Sequence, residues 1–250
     1  MDTPLALTMG DPAGIGGELT LGAWRALRET GPAFVVLDDP ARLAALAARL
    51  GLDVPIAVLD RFGPGDFRAA LPVWPVPLAA PVVAGRPHPR HAPAVLASID
   101  EAVRLAMAGE AAGVVTNPIS KATLYAAGFA HPGHTEYLGA LTGAAAPPVM
   151  MLAAPGLRVV PVTVHVALRR AIERLTPEAI LHAGVVTAAA LRRDFGVAAP
   201  RLAVAGLNPH AGEGGALGDE EARIVAPALA ALAARGIAAR GPLPPDTMFT

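Results

Sequence analysis

The strongest constraint in this 250-residue chain is the repeated alternation of short apolar strand patterns with longer helical ones. Residues 5–9 read as a strand, 10–17 as a glycine-rich loop and 18–28 as a helix. A strand follows at 33–37. Asp39 and Pro40 then open a helix to residue 50, with aspartate as N-cap and proline at the first helical position. Further strands are expected at 54–59, 113–116, 148–152, 158–165 and 201–206. Further helices are expected at 94–108, 120–127, 168–174, 176–195 and 219–235. Residues 61–93 carry a proline every few positions and read as extended loop with brief strands. Strands separated by helices of this length pair in parallel, which predicts a layered α/β fold. The alanine-rich composition suits helices lying close on a sheet. A division into two lobes, 1–118 and 119–250, is placed where loop residues concentrate.

Charge and cysteine content remove several function classes. Twenty basic residues stand against 21 acidic ones, for a formal net charge of −1. That argues against a broad nucleic-acid footprint. There is no cysteine, so disulfides, zinc–thiolate centres, iron–sulfur clusters and a cysteine nucleophile are excluded. Any metal is held by His, Asp, Glu or water. The start, Met1-Asp2-Thr3-Pro4, lacks the basic and apolar regions of a signal peptide, and no apolar run is long enough to span a bilayer. A cytoplasmic protein with no membrane partner is expected.

The chemistry concentrates in a few short segments. Residues 9–18, Met-Gly-Asp-Pro-Ala-Gly-Ile-Gly-Gly-Glu, lie between a strand and a helix. Such a turn either presents backbone N–H groups to an anion or makes a tight connection with no ligand. It matches neither a P-loop nor Gly-x-Gly-x-x-Gly in register. Gly133-His134-Thr135-Glu136 either grips a phosphate or hydroxyl, or starts a helix with Thr135 as cap of residues 137–141. Lys121 is the one lysine beside 19 arginines, and it follows a strand exit in Thr116-Asn117-Pro118-Ile119-Ser120-Lys121. His165, inside or ending a strand, and His210, in the glycine-rich stretch 206–215, fall where α/β folds gather ligands. Two imidazoles from adjacent strands suit a divalent metal, although catalytic zinc normally takes three protein ligands. The alternative is two unrelated histidines. Residues 241–249, rich in proline, either deliver Asp246 and Thr247 in fixed geometry or form a linker.

Taken in order, residues 8–16, 116–121, 133–136, 206–213 and 241–247 resemble the 4-hydroxythreonine-4-phosphate dehydrogenase family of vitamin B6 biosynthesis. The resemblance runs from end to end. It implies a two-lobed α/β/α fold like the isocitrate and isopropylmalate dehydrogenases, with a cleft between lobes and a homodimer sharing active sites. It implies NAD- or NADP-dependent oxidation of a phosphorylated amino acid, followed by decarboxylation, with a divalent metal (Zn, Mg or Co). By position, His165 and His210 correspond to metal ligands, and His134 and Thr135 to substrate contacts. Lys121 and Asp246 are further candidates; no catalytic group is assigned. The family continues past Thr250 into a segment with a third metal histidine and a substrate lysine, so this chain is expected to be a portion of the enzyme. Alternatives are a relative oxidising threonate 4-phosphate or an aromatic cis-dihydrodiol, a non-catalytic anion-binding protein, and, more distantly, a phosphate acyltransferase of similar fold.

Overall fold

The run Phe34-Val-Val-Leu-Asp38 has all five residues buried, as expected of a parallel strand covered on both faces. In the computed structural model, which describes residues 3–249, this is strand β2 (Phe34–Asp38). The readings of Met1, Asp2 and Thr250 lie outside the described residues. Two compact units are present, Met1–Pro147 and Pro148–Thr250.

The first unit is built on a five-stranded sheet with β1 (Leu5–Thr8), β3 (Ile56–Val58), β4 (Leu71–Pro75) and β5 (Val114–Val115) in the order β3-β4-β2-β1-β5. Every pairing is parallel. The period-2 alternation of β2 splits the core in two. Val36 joins Leu7, Leu43 and Val73 with the buried side chains of α1 (Gly16–Leu27) and α2 (Pro40–Arg49). Leu37 joins Ala6, Ile99 and Leu105 of α3 (Ala92–Met107) on the other. The result is helix, sheet, helix, in agreement with the layered fold expected from sequence. Asp39 does cap α2, accepting from the N–H of Arg42 at 3.0 Å.

The sequence placed the lobe boundary at 118/119, whereas the compact units part at Pro147/Pro148. Side-chain burial explains the difference. Leu124 of α4 (Lys121–Ala126) is 2% exposed, and Ile119, Phe129, Tyr137 and Leu138 pack on the same core as Ile99. Strand β4 was hidden by its prolines. It forms because Leu71 and Val73 are completely buried, and tertiary packing outweighs local propensity.

The second unit holds an antiparallel hairpin, β6 (Leu152–Ala154) and β7 (Leu157–Val159), and a parallel pair, β8 (Arg201–Ala205) and β9 (Ala238–Leu243). Its helices are α6 (Leu168–Arg174), α7 (Pro177–Arg193) and α8 (Ala226–Ala234). Thr176 caps α7 by accepting from Ala179 N–H at 3.1 Å. Gly184 of α7 lets α8 approach, since a Cβ there would stand 2.7 Å from Leu232 Cδ2.

Three expectations need correction here. The strand expected over 158–165 ends at Val159, because Pro161 cannot donate to a ladder. Strand β9 runs through Gly241 and Pro242 to Leu243, so the first part of the proline-rich segment is ladder and not linker. The helix expected over 219–235 opens with a π-helical turn, Glu221–Val225, before α8. Among the described residues no helix is long and apolar enough to cross a membrane.

Candidate active site

The loop after β1 resolves the first motif. Asn117 is 5% exposed and its Nδ2 donates to the Thr8 carbonyl at 2.9 Å and to Thr20 Oγ1 at 3.0 Å. Asp11 N–H donates to the Pro118 carbonyl at 2.8 Å. A Cβ on Gly10 would stand 2.7 Å from Asn117 Cβ, and one on Gly16 would stand 2.7 Å from the Met9 carbonyl oxygen. These two glycines are therefore required by backbone packing against residues 117–118. They do not frame an open phosphate cradle.

The 117–118 segment leads directly to Ser120, which caps α4, and to Lys121, its first residue. Lys121 reaches Gly133: a Cβ there would lie 3.3 Å from Lys121 Nζ and 3.6 Å from Glu136 Oε2. Glycine at 133 thus leaves room for a lysine ammonium and a glutamate carboxylate beside the start of α5 (His134–Leu141). His134 is half-buried, and its Nε2 is buried with no hydrogen-bond partner among the described residues. Burial, and secondarily the Lys121 charge, hold its imidazole below the ordinary histidine range. The helix begins at His134 itself with no side-chain cap. Thr135 sits inside the first turn, and does not cap residues 137–141 as the sequence allowed. Lys121, His134 and Glu136 thus meet around one helix start, with Thr135 in its first turn.

On the same unit, a cavity of about 590 Å³ is lined by Pro12, Glu18, Asp39, Arg42, Arg49 and Leu78 among others. Arg42 does not offer a free charge to it. Its Nε donates to Asp38 Oδ1 at 3.1 Å, and Asp38 is completely buried at the end of β2. Burial pushes the Asp38 carboxyl up, against the opposing pull of Arg42.

The second unit carries the other two histidines. His165 lies beyond β7, outside any strand, with φ at 55°. It does not share a sheet with β8, so the adjacent-strand picture is replaced. His210 follows β8 in a turn whose residues 210–214 all have positive φ. Three of them (His210, Ala211 and Glu213) are not glycine, and each such residue costs about 1–2 kcal/mol in that region. Strain of this kind concentrates at functional loops. His210 Nδ1 lies 3.1 Å from Asp246 Oδ2. A carboxylate on Nδ1–H leaves Nε2 unprotonated and turned to a ligand, the arrangement commonly found behind metal-bound histidine. The donor chemistry of His210, with Asp246 behind it, therefore fits one position around a borderline divalent cation such as zinc, and among the described residues no hydrogen bond or ion pair joins His165 to either of them. Among the described residues no cluster of three or more His, Asp or Glu supplies a complete set.

Glu221 was not singled out by sequence reasoning, since three successive acids at a helix start (Asp219, Glu220 and Glu221) carry no distinctive signal. Its carboxylate is 6% exposed and accepts hydrogen bonds from residues 207 and 208 in the His210 loop.

Comparison with known proteins places the chain in a family. A 4-hydroxythreonine-4-phosphate dehydrogenase from Caulobacter vibrioides is 54% identical over 251 residues, covering 98% of this chain and 75% of that protein. The crystal structure of a 4-hydroxythreonine-4-phosphate dehydrogenase from Klebsiella pneumoniae aligns over 100% of this chain and 76% of its own, with a TM-score of 0.88 at 37% identity. A terephthalate 1,2-cis-dihydrodiol dehydrogenase from Burkholderia xenovorans aligns over 99% of this chain and 75% of its own, with a TM-score of 0.65 at 27% identity. The sequence profile described as pyridoxal phosphate biosynthetic protein PdxA matches residues 31–250, and the chain belongs to that family.

Proposed function

We propose that the chain carries the dehydrogenase reaction of pyridoxal 5′-phosphate biosynthesis, oxidising 4-phosphooxy-L-threonine to a 2-amino-3-oxo acid phosphate that decarboxylates to 3-amino-2-oxopropyl phosphate. The observation that carries this reading is the 54% identity, over 98% of the chain, to a 4-hydroxythreonine-4-phosphate dehydrogenase. A cis-dihydrodiol substrate is less well supported, because likeness to the dihydrodiol enzyme falls to a TM-score of 0.65.

In this reading the first unit supplies the grip on the anionic substrate. Lys121 contributes fixed positive charge, and the unpartnered Nε2 of His134 donates to or accepts from a substrate oxygen according to its tautomer. The Thr135 hydroxyl offers a further donor. Because burial and Lys121 disfavour imidazolium, His134 acts as a neutral partner near pH 7 and leaves the charge to lysine. The candidate metal ligands are His165 and His210, with Asp246 fixing the His210 tautomer. When bound, a divalent metal would supply Lewis acidity and a nicotinamide cofactor would supply the hydride acceptor. The hydroxyl proton passes to solvent, the bond to the carboxylate then breaks to release carbon dioxide with its electron pair moving toward the new carbonyl, and the resulting enol takes up a proton from solvent at carbon to give the ketone. The glycines of residues 10–16 are occupied by packing, so no dinucleotide contact is assigned to them. The choices between NAD and NADP and among zinc, magnesium and cobalt belong to this proposal, as does a homodimer with shared active sites.

The test is reduction of NAD or NADP by the full-length protein with 4-phosphooxy-L-threonine and a divalent metal. Metal-dependent turnover, abolished by chelation, is expected. No turnover with this substrate, alongside turnover of threonate 4-phosphate or a cis-dihydrodiol, moves the assignment to another substrate.

A further inference from the structure

The turn that carries His210 is made of backbone conformations that do not hold themselves. Residues 210–214 are all left-handed, with φ between 43° and 79°. One group organises the strand exit that leads into this turn. Glu221 Oε1 accepts from the N–H groups of Leu207 and Asn208, both at 2.8 Å, and Oε2 accepts from Asn208 Nδ2 at 3.0 Å. The other hydrogen of that amide reaches Glu220 Oε2 at 2.8 Å. The glycines of the loop are shaped around the same carboxylate. A Cβ on Gly206 would stand 3.1 Å from Glu221 Oε1, and one on Gly212 would stand 2.8 Å from Oε2. Gly206 lies before His210 and Gly212 lies within its turn, so the carboxylate fills the concave side of the loop.

A buried carboxylate is costly unless its oxygens are well supplied with donors. Burial raises the Glu221 pKa, but the hydrogen bonds from Asn208 and Leu207 more than offset it, and the group is held below the ordinary glutamate range. It therefore stands as a carboxylate at neutral pH. Its place in the chain is also unusual. Glu221 begins the π-helical turn 221–225, a distortion found at functional sites more often than elsewhere.

We propose that Glu221 is a positioning residue. It clamps residues 206–212 so that His210 is presented beside Asp246 with Nε2 free. The clamp is a property of the protein fold; its consequence for metal binding rests on the reading of His210 as a ligand.

The experiment uses the full-length protein and the variants Glu221→Gln and Glu220→Gln. Three quantities are read: hydrogen exchange at the Leu207 and Asn208 amides without metal, the ¹⁵N spectrum of the His210 ring, and Zn²⁺ affinity by calorimetry. Glu221→Gln keeps the shape but replaces an acceptor oxygen by an NH₂ donor facing N–H groups. Exchange at both amides should rise at least about tenfold, the cost of one lost charge-assisted hydrogen bond, while amides of β1 and β2 keep their protection. The His210 ring should shift from one tautomer to a mixture, and Zn²⁺ affinity should fall about 10–100-fold. Glu220→Gln keeps an amide oxygen to accept from Asn208 Nδ2 and faces neither backbone N–H, so it should change each quantity by less than about threefold. Unchanged amide exchange and ring spectrum in Glu221→Gln, or equal effects from Glu220→Gln, overturn the proposal. If the wild type binds no Zn²⁺, the metal reading fails, and the exchange and ring data still decide the clamp. Should Glu221→Gln lose protection in β1 and β2 as well, Glu221→Asp replaces it. That variant keeps the charge but withdraws the oxygens by one methylene, and an unaltered His210 ring spectrum in it counts against the clamp.

Discussion

Asp246 Oδ2 lies 3.1 Å from His210 Nδ1, joining the turn after β9 to the turn after β8. Both side chains are about half exposed, at 57% and 45%, so the pair contributes little to folding. Its effect is directional: with Nδ1–H donating to the carboxylate, it selects the tautomer in which Nε2 is unprotonated and free to ligate. Asp246→Asn should therefore lower Zn²⁺ affinity about 10–100-fold while leaving the unfolding midpoint nearly unchanged. Calorimetric titration and thermal unfolding on the same sample check both halves. An unaltered affinity would show that the aspartate does not orient the ring.

His134 should titrate below the ordinary histidine value of 6.5, because burial and then Lys121 disfavour its cation. Replacing Lys121 by methionine should raise the midpoint part of the way, leaving the burial contribution in place. The linkage has a definite sign. Above pH 6.5 the ring is neutral in folded and unfolded chains alike. As pH falls below that value the unfolded chain takes up the proton first, so stability declines until the lowered folded pKa is passed. NMR titration of the imidazole, with and without the substitution, measures this. A midpoint that does not move in Lys121→Met would remove the lysine from the His134 environment.

Much of the first unit could be read from sequence, because its signals were local and mutually consistent. Residues 33–37 are apolar throughout, and Asp39-Pro40 punctuates the helix after them, so pattern and capping agree with the final packing. Strand β4 was obscured because Pro72 and Pro75 oppose it locally, and only burial of Leu71 and Val73 by the assembled core decides the matter. The lobe boundary was misplaced for the same reason, since residues 119–147 are assigned by where Leu124 and Phe129 pack. At the site, the histidines and Lys121 stood out by rarity and by their glycine surroundings. Glu221 did not, because its role comes from backbone N–H groups 13 and 14 positions earlier in the chain, which no spacing rule connects to it.

Gly10 and Gly51 both have positive φ, 69° and 64°, but only Gly10 is enclosed. A Cβ there meets Asn117 Cβ and the Pro118 carbonyl at 2.7 Å, whereas nothing lies within 4 Å of one at Gly51. Gly51→Ala should cost only the backbone penalty, about 1–2 kcal/mol. Gly10→Ala should add about 1–3 kcal/mol of overpacking to that. Urea unfolding of the two variants separates the contributions. Equal losses would show that the loop after β1 yields to admit a methyl group.

The Arg42–Asp38 pair tests how far the first unit depends on a buried charge. Asp38 is completely buried and Arg42 nearly so, with side-chain exposures of 0% and 10%. Arg42→Met keeps the aliphatic packing and strands the carboxylate, so a loss of about 3–5 kcal/mol is expected. The pH dependence follows from the raised Asp38 pKa. An acid whose folded pKa lies above its unfolded value holds its proton longer in the native state, so its stabilising contribution is lost as pH rises through the folded value. Removing the guanidinium, which pulls that pKa down, should push it higher and make Arg42→Met more severely destabilised at pH 8 than at pH 5. Asp38→Asn combined with Arg42→Met removes the stranded charge and should recover a large part of the loss at pH 8. Urea unfolding at both pH values measures this, and equal losses at pH 5 and pH 8 would show that the cost is packing alone.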